Sequence, residues 1–340
     1  VVSGEVLMGT APVRALGARE AWRIPTGGAL PEGADAVVPF EDVDERDGSI
    51  LLRESVRAGD YVTQRGDDMR AGEIALEAGR RIGAPELGVL ATLGITSVPV
   101  FERPRFGIIS TGDELVEASA TPGPGQVRDS NRFAIAGALH AFGVTPVHLP
   151  RVNDDFDSLR TALTAALEEC DGVVLTGGSS VGARDLTPHA VAALGEPGVV
   201  VHGIRVKPGK PTLLGAAGAK PILGLPGNPT SALMILEAVA RPIVVAATGE
   251  RPRRALSIEA QAARPFEGRA GWTWYVPARL RSGRARLQAE PLAIRSSHVA
   301  LLARAGGYVT IGESPHRIET GEPVQVTQFS SGGSSPEGPG

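Results

Sequence analysis

The apolar positions of this chain change period twice along its length, and the changes divide it into segments. From 104 to about 250, short apolar runs alternate with longer stretches whose apolar residues recur at helical spacing. The runs at 106–110, 145–149, 173–175, 199–206 and 222–225 read as strands, and 131–142, 155–169, 187–194 and 229–247 as helices. Val173, Val174 and Leu175 are three consecutive apolar residues, the pattern of a strand buried on both faces. Strands alternating with helices of this length predict a doubly wound, mostly parallel α/β sheet with right-handed crossovers.

On either side the pattern shortens. Residues 1–77 carry brief apolar runs at 4–8, 36–40, 49–54 and 73–77 between Gly, Pro and Asp clusters, which predicts a small, mainly β domain. Residues 78–103 hold an amphipathic helix at 85–93, with Pro85 at its start and Gly94 at its end, followed by a strand at 98–101. The α/β domain spans 104–252. A second small β domain follows at 253–329, with runs at 255–261, 273–282, 285–290, 308–311 and 323–329. The Gly/Ser/Pro-rich tail, 330–340, reads as disordered. The chain opens on Val1-Val2, mid-strand in character and not a Met, so further residues are expected upstream.

Composition narrows the class. At 340 residues, two or three cores are expected, and 42% hydrophobic with 21% charged residues is ordinary for a globular protein. A net charge of −4 with no basic face argues against nucleic acid as a partner. One cysteine, Cys170, excludes an intramolecular disulfide. No run of 18 apolar residues and no signal peptide are visible, so no membrane partner and a cytoplasmic location are expected. Among 34 cationic residues only Lys207, Lys210 and Lys220 are lysines, and two of them share Lys207-Pro208-Gly209-Lys210. A compact ammonium in place of a guanidinium fork points to a chosen chemistry there.

The loops after the strands carry that chemistry. They are Ser110-Thr111-Gly112-Asp113-Glu114, Asn153-Asp154-Asp155, Thr176-Gly177-Gly178-Ser179, Lys207-Pro208-Gly209-Lys210 and Leu225-Pro226-Gly227-Asn228-Pro229. All five are expected on one edge of the sheet, where α/β proteins bind ligands. Gly177, Gly178, Ser179 and Ser180 have little side-chain bulk, and their N–H groups suit a phosphate; a glycine turn needed only for its backbone shape is the alternative. Asp113 and Glu114 suit Mg²⁺ completed by a ligand phosphate, or else cap the next turn and face water. Of Asp154 and Asp155, one is expected to cap the following helix, and Asp154 is the better site candidate. Asp185 suits a ligand amide edge such as a pterin, or a cap. Lys207 and Lys210 suit oxyanion neutralisation, or are solvated loop lysines. Pro226 and Pro229 stiffen a turn into a long apolar helix. No serine–histidine–carboxylate trio and no zinc-spaced Cys/His cluster is evident, so positioning and charge stabilisation are the expected catalytic means.

Taken in order, these loops resemble one family. Arg23-Ile24-Pro25-Thr26-Gly27-Gly28, Arg65-Gly66-Asp67-Asp68, Ser110–Leu115, Asp129-Ser130-Asn131-Arg132, Gly177–Gly182, Lys207–Pro211 and Leu225–Pro229 are together similar to the molybdopterin molybdenumtransferases, that is MoeA and the gephyrin E domain. The resemblance implies molybdate insertion into adenylylated molybdopterin with Mg²⁺-assisted AMP release. It also implies a homodimer and a molybdopterin adenylyltransferase as a partner. Carried over by motif, Thr26, Asp68, Glu114 and Asp154 are the implied catalytic residues, Asp113 and Glu114 the implied metal ligands. Gly177, Gly178, Ser179, Ser180, Asp185, Lys207, Lys210, Pro226 and Pro229 are the implied pterin and phosphate contacts. The family's Asp-Gly-Tyr-Ala-type segment, with its functional aspartate, is expected upstream of Val1. A cation expected before the lysine loop is replaced around His202-Gly203, with Arg205 nearby. Adenylyl transfer to molybdopterin and non-catalytic pterin binding are the alternative functions.

Overall fold

The computed structural model describes residues 1–177, 186–252, 254–283, 286–293, 298–314 and 317–330. The chain forms two compact units, Val1–Glu77 with Ala84–Gly94, and Ala78–Gly83 with the rest.

The first unit holds a parallel pair, β1 (Val2–Glu5) and β2 (Ala21–Arg23), and a hairpin of β3 (Val43–Arg46) and β4 (Ser49–Leu52). One helix, α1 (Ala84–Thr92), follows. Two expected strands are absent. Residues 36–40 stay outside any ladder because Pro39 fixes φ and has no N–H to donate; the chain enters a 3-10 turn at Phe40. Residues 73–77 are irregular with a bend at Ala75-Leu76, and Ile74 faces solvent. Apolar alternation over so short a run has no neighbouring strand to satisfy it. The core here is thin: Val6 and Leu90 are the unit's buried hydrophobic side chains.

The second unit contains a six-stranded sheet of β5 (Arg105–Ser110), β8 (Thr145–His148), β9 (Gly172–Thr176), β10 (Pro197–His202), β12 (Leu213–Ala217) and β13 (Lys220–Leu225). Three more short strands lie between these: β6 (Leu115–Val116), β7 (Val127–Arg128) and β11 (Val206–Lys207). The sheet order is β10-β12-β13-β9-β5-β8. Strands β8, β5, β9 and β13 are parallel, and β12 is antiparallel to both of its neighbours, so β10 again runs with the majority.

Helices cover both faces. Alternate residues of the central strands divide between two cores. Phe106, Ile108, Val174, Leu223 and Leu225 pack against α2 (Asn131–Ala141) and the long helix after β13. Ile109, Val173, Leu175 and Ile222 pack against α3 (Phe156–Glu169) and α4 (Thr187–Ala192). In α3, Leu159, Leu163 and Ala166 form the buried stripe. Leu159 and Leu163, so buried, each contribute about 1.5–3 kcal/mol.

The expected single helix over 229–247 is interrupted in character. It runs as α5 (Pro229–Ile235), a π-helical turn over Leu236–Ala240, and α6 (Arg241–Ala247). Pro242 explains the wide turn. It has no N–H for the carbonyl four residues back, and its ring would strike that carbonyl in a regular helix. Pro229–Ala247 is long and apolar enough to cross a membrane. Here its apolar residues Ala232, Ile235, Leu236, Ala240 and Val244 are buried on the sheet.

The expected strand at 98–101 is loop, with Val100 and Phe101 exposed. The expected strand at 199–206 is two, β10 and β11. The second leaves the sheet altogether.

The C-terminal region forms β14 (Ser257–Ala262), β15 (Phe266–Glu267), β16 (Thr273–Ser282), β17 (Leu287–Pro291), α7 (Val299–Ala303), β18 (Gly307–Ile311), β19 (Arg317–Ile318) and β20 (Pro323–Thr327). Strands β16-β17-β14-β20-β18 pair in that order, and β18 pairs back onto β16, which closes a small barrel. Closure removes sheet edges, and alanines 260, 262, 278 and 289 let so narrow an interior fill. Strand β11 adds to this barrel, in parallel with Thr273–Trp274 of β16. A further cluster, Met234 with Leu302, Ala305, Tyr308 and Phe329, fastens the barrel to α5. Beside it, the buried carboxylate of Glu237 accepts from the Ser330 N–H at 3.2 Å and the Ser330 hydroxyl at 3.0 Å.

Candidate functional site

The site is built from the carboxyl ends of the parallel strands. The end of β5 is tied to its neighbours on both sides. Thr111 N–H donates to the Thr176 carbonyl at 2.8 Å, and Thr111 forms a lone bridge with Val152, after β8. The loop after β13 comes in as well: the backbone at Gly227 approaches Gly177, and Asn131 at the start of α2 donates to the Gly227 carbonyl at 2.7 Å. Four strand ends therefore meet along one edge. Because β10 runs with the majority, the lysine loop between β10 and β12 emerges on that edge too.

Gly177 sits at the centre of this edge with φ +94°, and Thr111 fills the space a Cβ would take, with its Oγ1 2.7 Å from that position. Only glycine meets both requirements. The hydroxyls of Ser110 and Thr111 are buried and have no hydrogen-bond partner among the described residues. One oxygen of the buried Asp129 is in the same condition, while the other accepts from the Arg132 N–H at 3.2 Å. Unpaired buried polar atoms are costly, and those of Ser110 and Thr111 at the end of β5 mark a place suited to a polar ligand.

Asp113 and Glu114 occupy the turn after β5, both exposed. The Glu114 carboxylate folds back over Gly112, with an oxygen 2.6 Å from where a Cβ on residue 112 would lie. Among the described residues no three acidic, histidine or cysteine side chains are grouped to hold a metal alone. Two adjacent carboxylates still fit Mg²⁺, which takes one or two protein carboxylates and fills its remaining positions with water and phosphate oxygens.

After β8, Asp155 is the cap of α3: its Oδ1 accepts from the Ser158 N–H at 2.8 Å, and hydrogen bonding from the Ser158 side chain, then from its N–H, holds the carboxyl below the ordinary range. Asp154 is exposed and outside the cap. Lys207 and Lys210 are exposed, while Pro208 and Gly209 between them are buried, with Gly209 packed on Ile235. The Lys207 Nζ does not simply project into solvent: it lies 4.4 Å above the centroid of the Trp274 ring. Pro226 is buried and Pro229 opens α5.

Gly178, Ser179, Ser180 and Asp185 lie outside the described residues. Thr26 and Asp68 belong to the first unit, each exposed in a turn or loop. Thr111, Asn131, Asp129 and Trp274 were not singled out from the sequence as individual site residues. Thr111 lies within Ser110–Leu115 and Asp129 and Asn131 within Asp129–Arg132, motifs that carry the available signal, whereas Trp274 sits in an apolar strand pattern that gives none.

Three family descriptions match the chain in order. "MoeA N-terminal region (domain I and II)" matches residues 2–94, "Probable molybdopterin binding domain" 107–246 and "MoeA C-terminal region (domain IV)" 259–329. The molybdopterin molybdenumtransferase of Bacillus subtilis is 32% identical over 323 residues, 94% of this chain and 75% of the relative. Molybdopterin molybdenumtransferase 1 of Mycobacterium tuberculosis is 33% identical over 335 residues, 96% of this chain and 78% of the relative. The crystal structure of a molybdopterin biosynthesis MoeA protein from Pyrococcus horikoshii superposes with a TM-score of 0.74 at 34% identity, covering 96% of this chain and 80% of that one. With its three matched regions in order and relatives of this similarity over most of their length, the chain belongs to the molybdopterin molybdenumtransferase (MoeA) family of molybdenum cofactor biosynthesis.

Proposed function

We propose that this protein inserts molybdate into adenylylated molybdopterin and releases AMP in a Mg²⁺-dependent reaction. The observation that carries the reading is the meeting, on one sheet edge, of a glycine cradle, two carboxylate loops and a two-lysine loop. The backbone at Gly177 and Gly227, with the Thr111 hydroxyl, binds phosphate oxygens. Lys207 and Lys210 neutralise phosphate and the incoming oxyanion. Asp113 and Glu114 hold Mg²⁺, which when bound offsets the charge of the phosphate being released. Asp154, free of the capping duty that Asp155 performs, is the carboxylate left to orient the reacting groups. Gly178, Ser179, Ser180 and Asp185 complete the pterin-phosphate contacts in this reading, as do Pro226 and Pro229 by shaping the adjacent turn. Catalysis is by positioning and charge stabilisation.

Thr26 and Asp68 are further candidates by motif, read in the same assay as Thr26→Ala and Asp68→Asn. The family resemblance also supports a homodimer, transfer of substrate from a molybdopterin adenylyltransferase, and a cytoplasmic location.

The test is AMP release from adenylylated molybdopterin on addition of molybdate and Mg²⁺. Molybdate-dependent release supports the reading. Pyrophosphate formation from ATP and molybdopterin, without such release, assigns adenylyl transfer instead. Tight pterin binding with neither product assigns a binding role.

A further inference from the structure

The lysine loop is closed at its base by two hydrogen bonds, Gly203 N–H to the Thr212 carbonyl and Ile204 N–H to the Lys210 carbonyl, each 2.9 Å. Between them the chain leaves the α/β sheet and pairs with the barrel. The Thr273 N–H donates to the Arg205 carbonyl at 3.0 Å, and the register sets Lys207 opposite Trp274. The indole is partly buried against the barrel core, and its Nε1–H is shielded from water with no hydrogen-bond partner among the described residues. What Trp274 offers its surroundings is therefore its ring face, and Lys207 Nζ lies over that face.

We propose that Trp274 is a positioning residue for Lys207, so that the C-terminal barrel, through this ring, holds the ammonium at the anion-binding edge. The inference rests on the reading of Lys207 as an anion contact. A lysine stem has four rotatable bonds, and an ammonium over an indole face gives up much of that freedom while keeping N–H donors for an oxyanion. Indole is the strongest of the aromatic faces for this purpose. An arginine would lie flat on the ring and turn its planar fork along it, which accords with a lysine standing here in a chain that otherwise uses arginine.

The chain's three lysines make the test direct. Reductive ¹³C-methylation keeps their charge and gives each a separate NMR signal. One signal is expected upfield through the indole ring current, and Lys207→Arg assigns it by deleting it. Trp274→Leu moves it to the position of a free methylated lysine, while Trp274→Phe keeps part of the shift. Titrated with inorganic pyrophosphate, Trp274→Leu binds about two- to fivefold more weakly, and Trp274→Phe recovers most of the loss. In AMP release the same change raises KM by that factor and leaves kcat in place. The absence of a ring-shifted lysine, or equal pyrophosphate affinity in wild type and Trp274→Leu, overturns the proposal. A wild type that releases no AMP overturns the functional reading alone, and the pyrophosphate titration then decides the role of Trp274.

Discussion

The backbone carbonyl of Thr111 occupies the space that a Cβ on residue 177 would need. The ends of β5 and β9 are pressed together there, and Gly177 also has φ +94°. Gly177→Ala therefore meets a backbone obstacle and a strained dihedral at once. It is expected to lower unfolding free energy by about 2–4 kcal/mol, read by urea denaturation. Affinity for pyrophosphate falls as well, since the cradle opens.

Glu237 gives the second unit a pH dependence with a defined sign. Burial pushes its carboxyl above the ordinary value of 4.5, while the Ser330 hydrogen bonds and Arg241 pull it down by less. Tyr308 nearby is pushed up to about 12, first by burial and then by the Glu237 charge, so it stays neutral. The folded state holds the Glu237 proton more tightly than the unfolded chain, so stability from this group is present below pH 4.5. It is lost as pH rises through the raised value. Glu237→Gln, which still accepts from Ser330, should remove that loss. Thermal denaturation at several pH values checks it: the variant melts progressively higher than wild type as pH increases from 4.5.

The adjacent aspartates Asp154 and Asp155 should separate cleanly. Asp155→Ala removes the α3 cap and is expected to lower the melting temperature by about 2–4 °C. The cap's carboxyl is held low, so its contribution is present above pH 3.8 and fades as pH falls through the depressed value. Asp154→Asn should leave the melting temperature unchanged and reduce AMP release.

Glu114→Gln tests the carboxylate loop. The side chain is exposed, so stability should hold. The rate of AMP release is expected to fall about 10²-fold, with a higher Mg²⁺ concentration needed for half-maximal rate. An unchanged Mg²⁺ dependence would remove Glu114 from the metal role.

Much of the α/β unit was legible because its signals are local. Val173–Leu175 and the Leu159, Leu163, Ala166 stripe state their burial in the pattern itself. The errors fall where a partner far along the chain decides. Strand β12, Leu213-Leu214-Gly215-Ala216-Ala217, carries no β-branched residue and forms because it fits between β10 and β13. Val98–Phe101 has strand composition but pairs with no strand. Of the candidate site, the glycine, carboxylate and lysine loops were visible as loop chemistry after strands, and which of Asp154 and Asp155 caps α3 was decided by one hydrogen bond, from Ser158 N–H to Asp155.

The sequence by itself determined the alternation of the parallel strands β5, β8, β9 and β13 with their helices, the loops that carry charge and the family, because these depend on residue type and spacing. Tertiary structure alone decided which of those loops touch. Only the fold brings Thr111 against Gly177, Asn131 against Gly227, and Trp274 beneath Lys207. Contacts between segments far apart in the chain leave no periodic trace in either one. They arise when packing and closed ladders fix backbones at distances that a single glycine or one indole ring then makes possible.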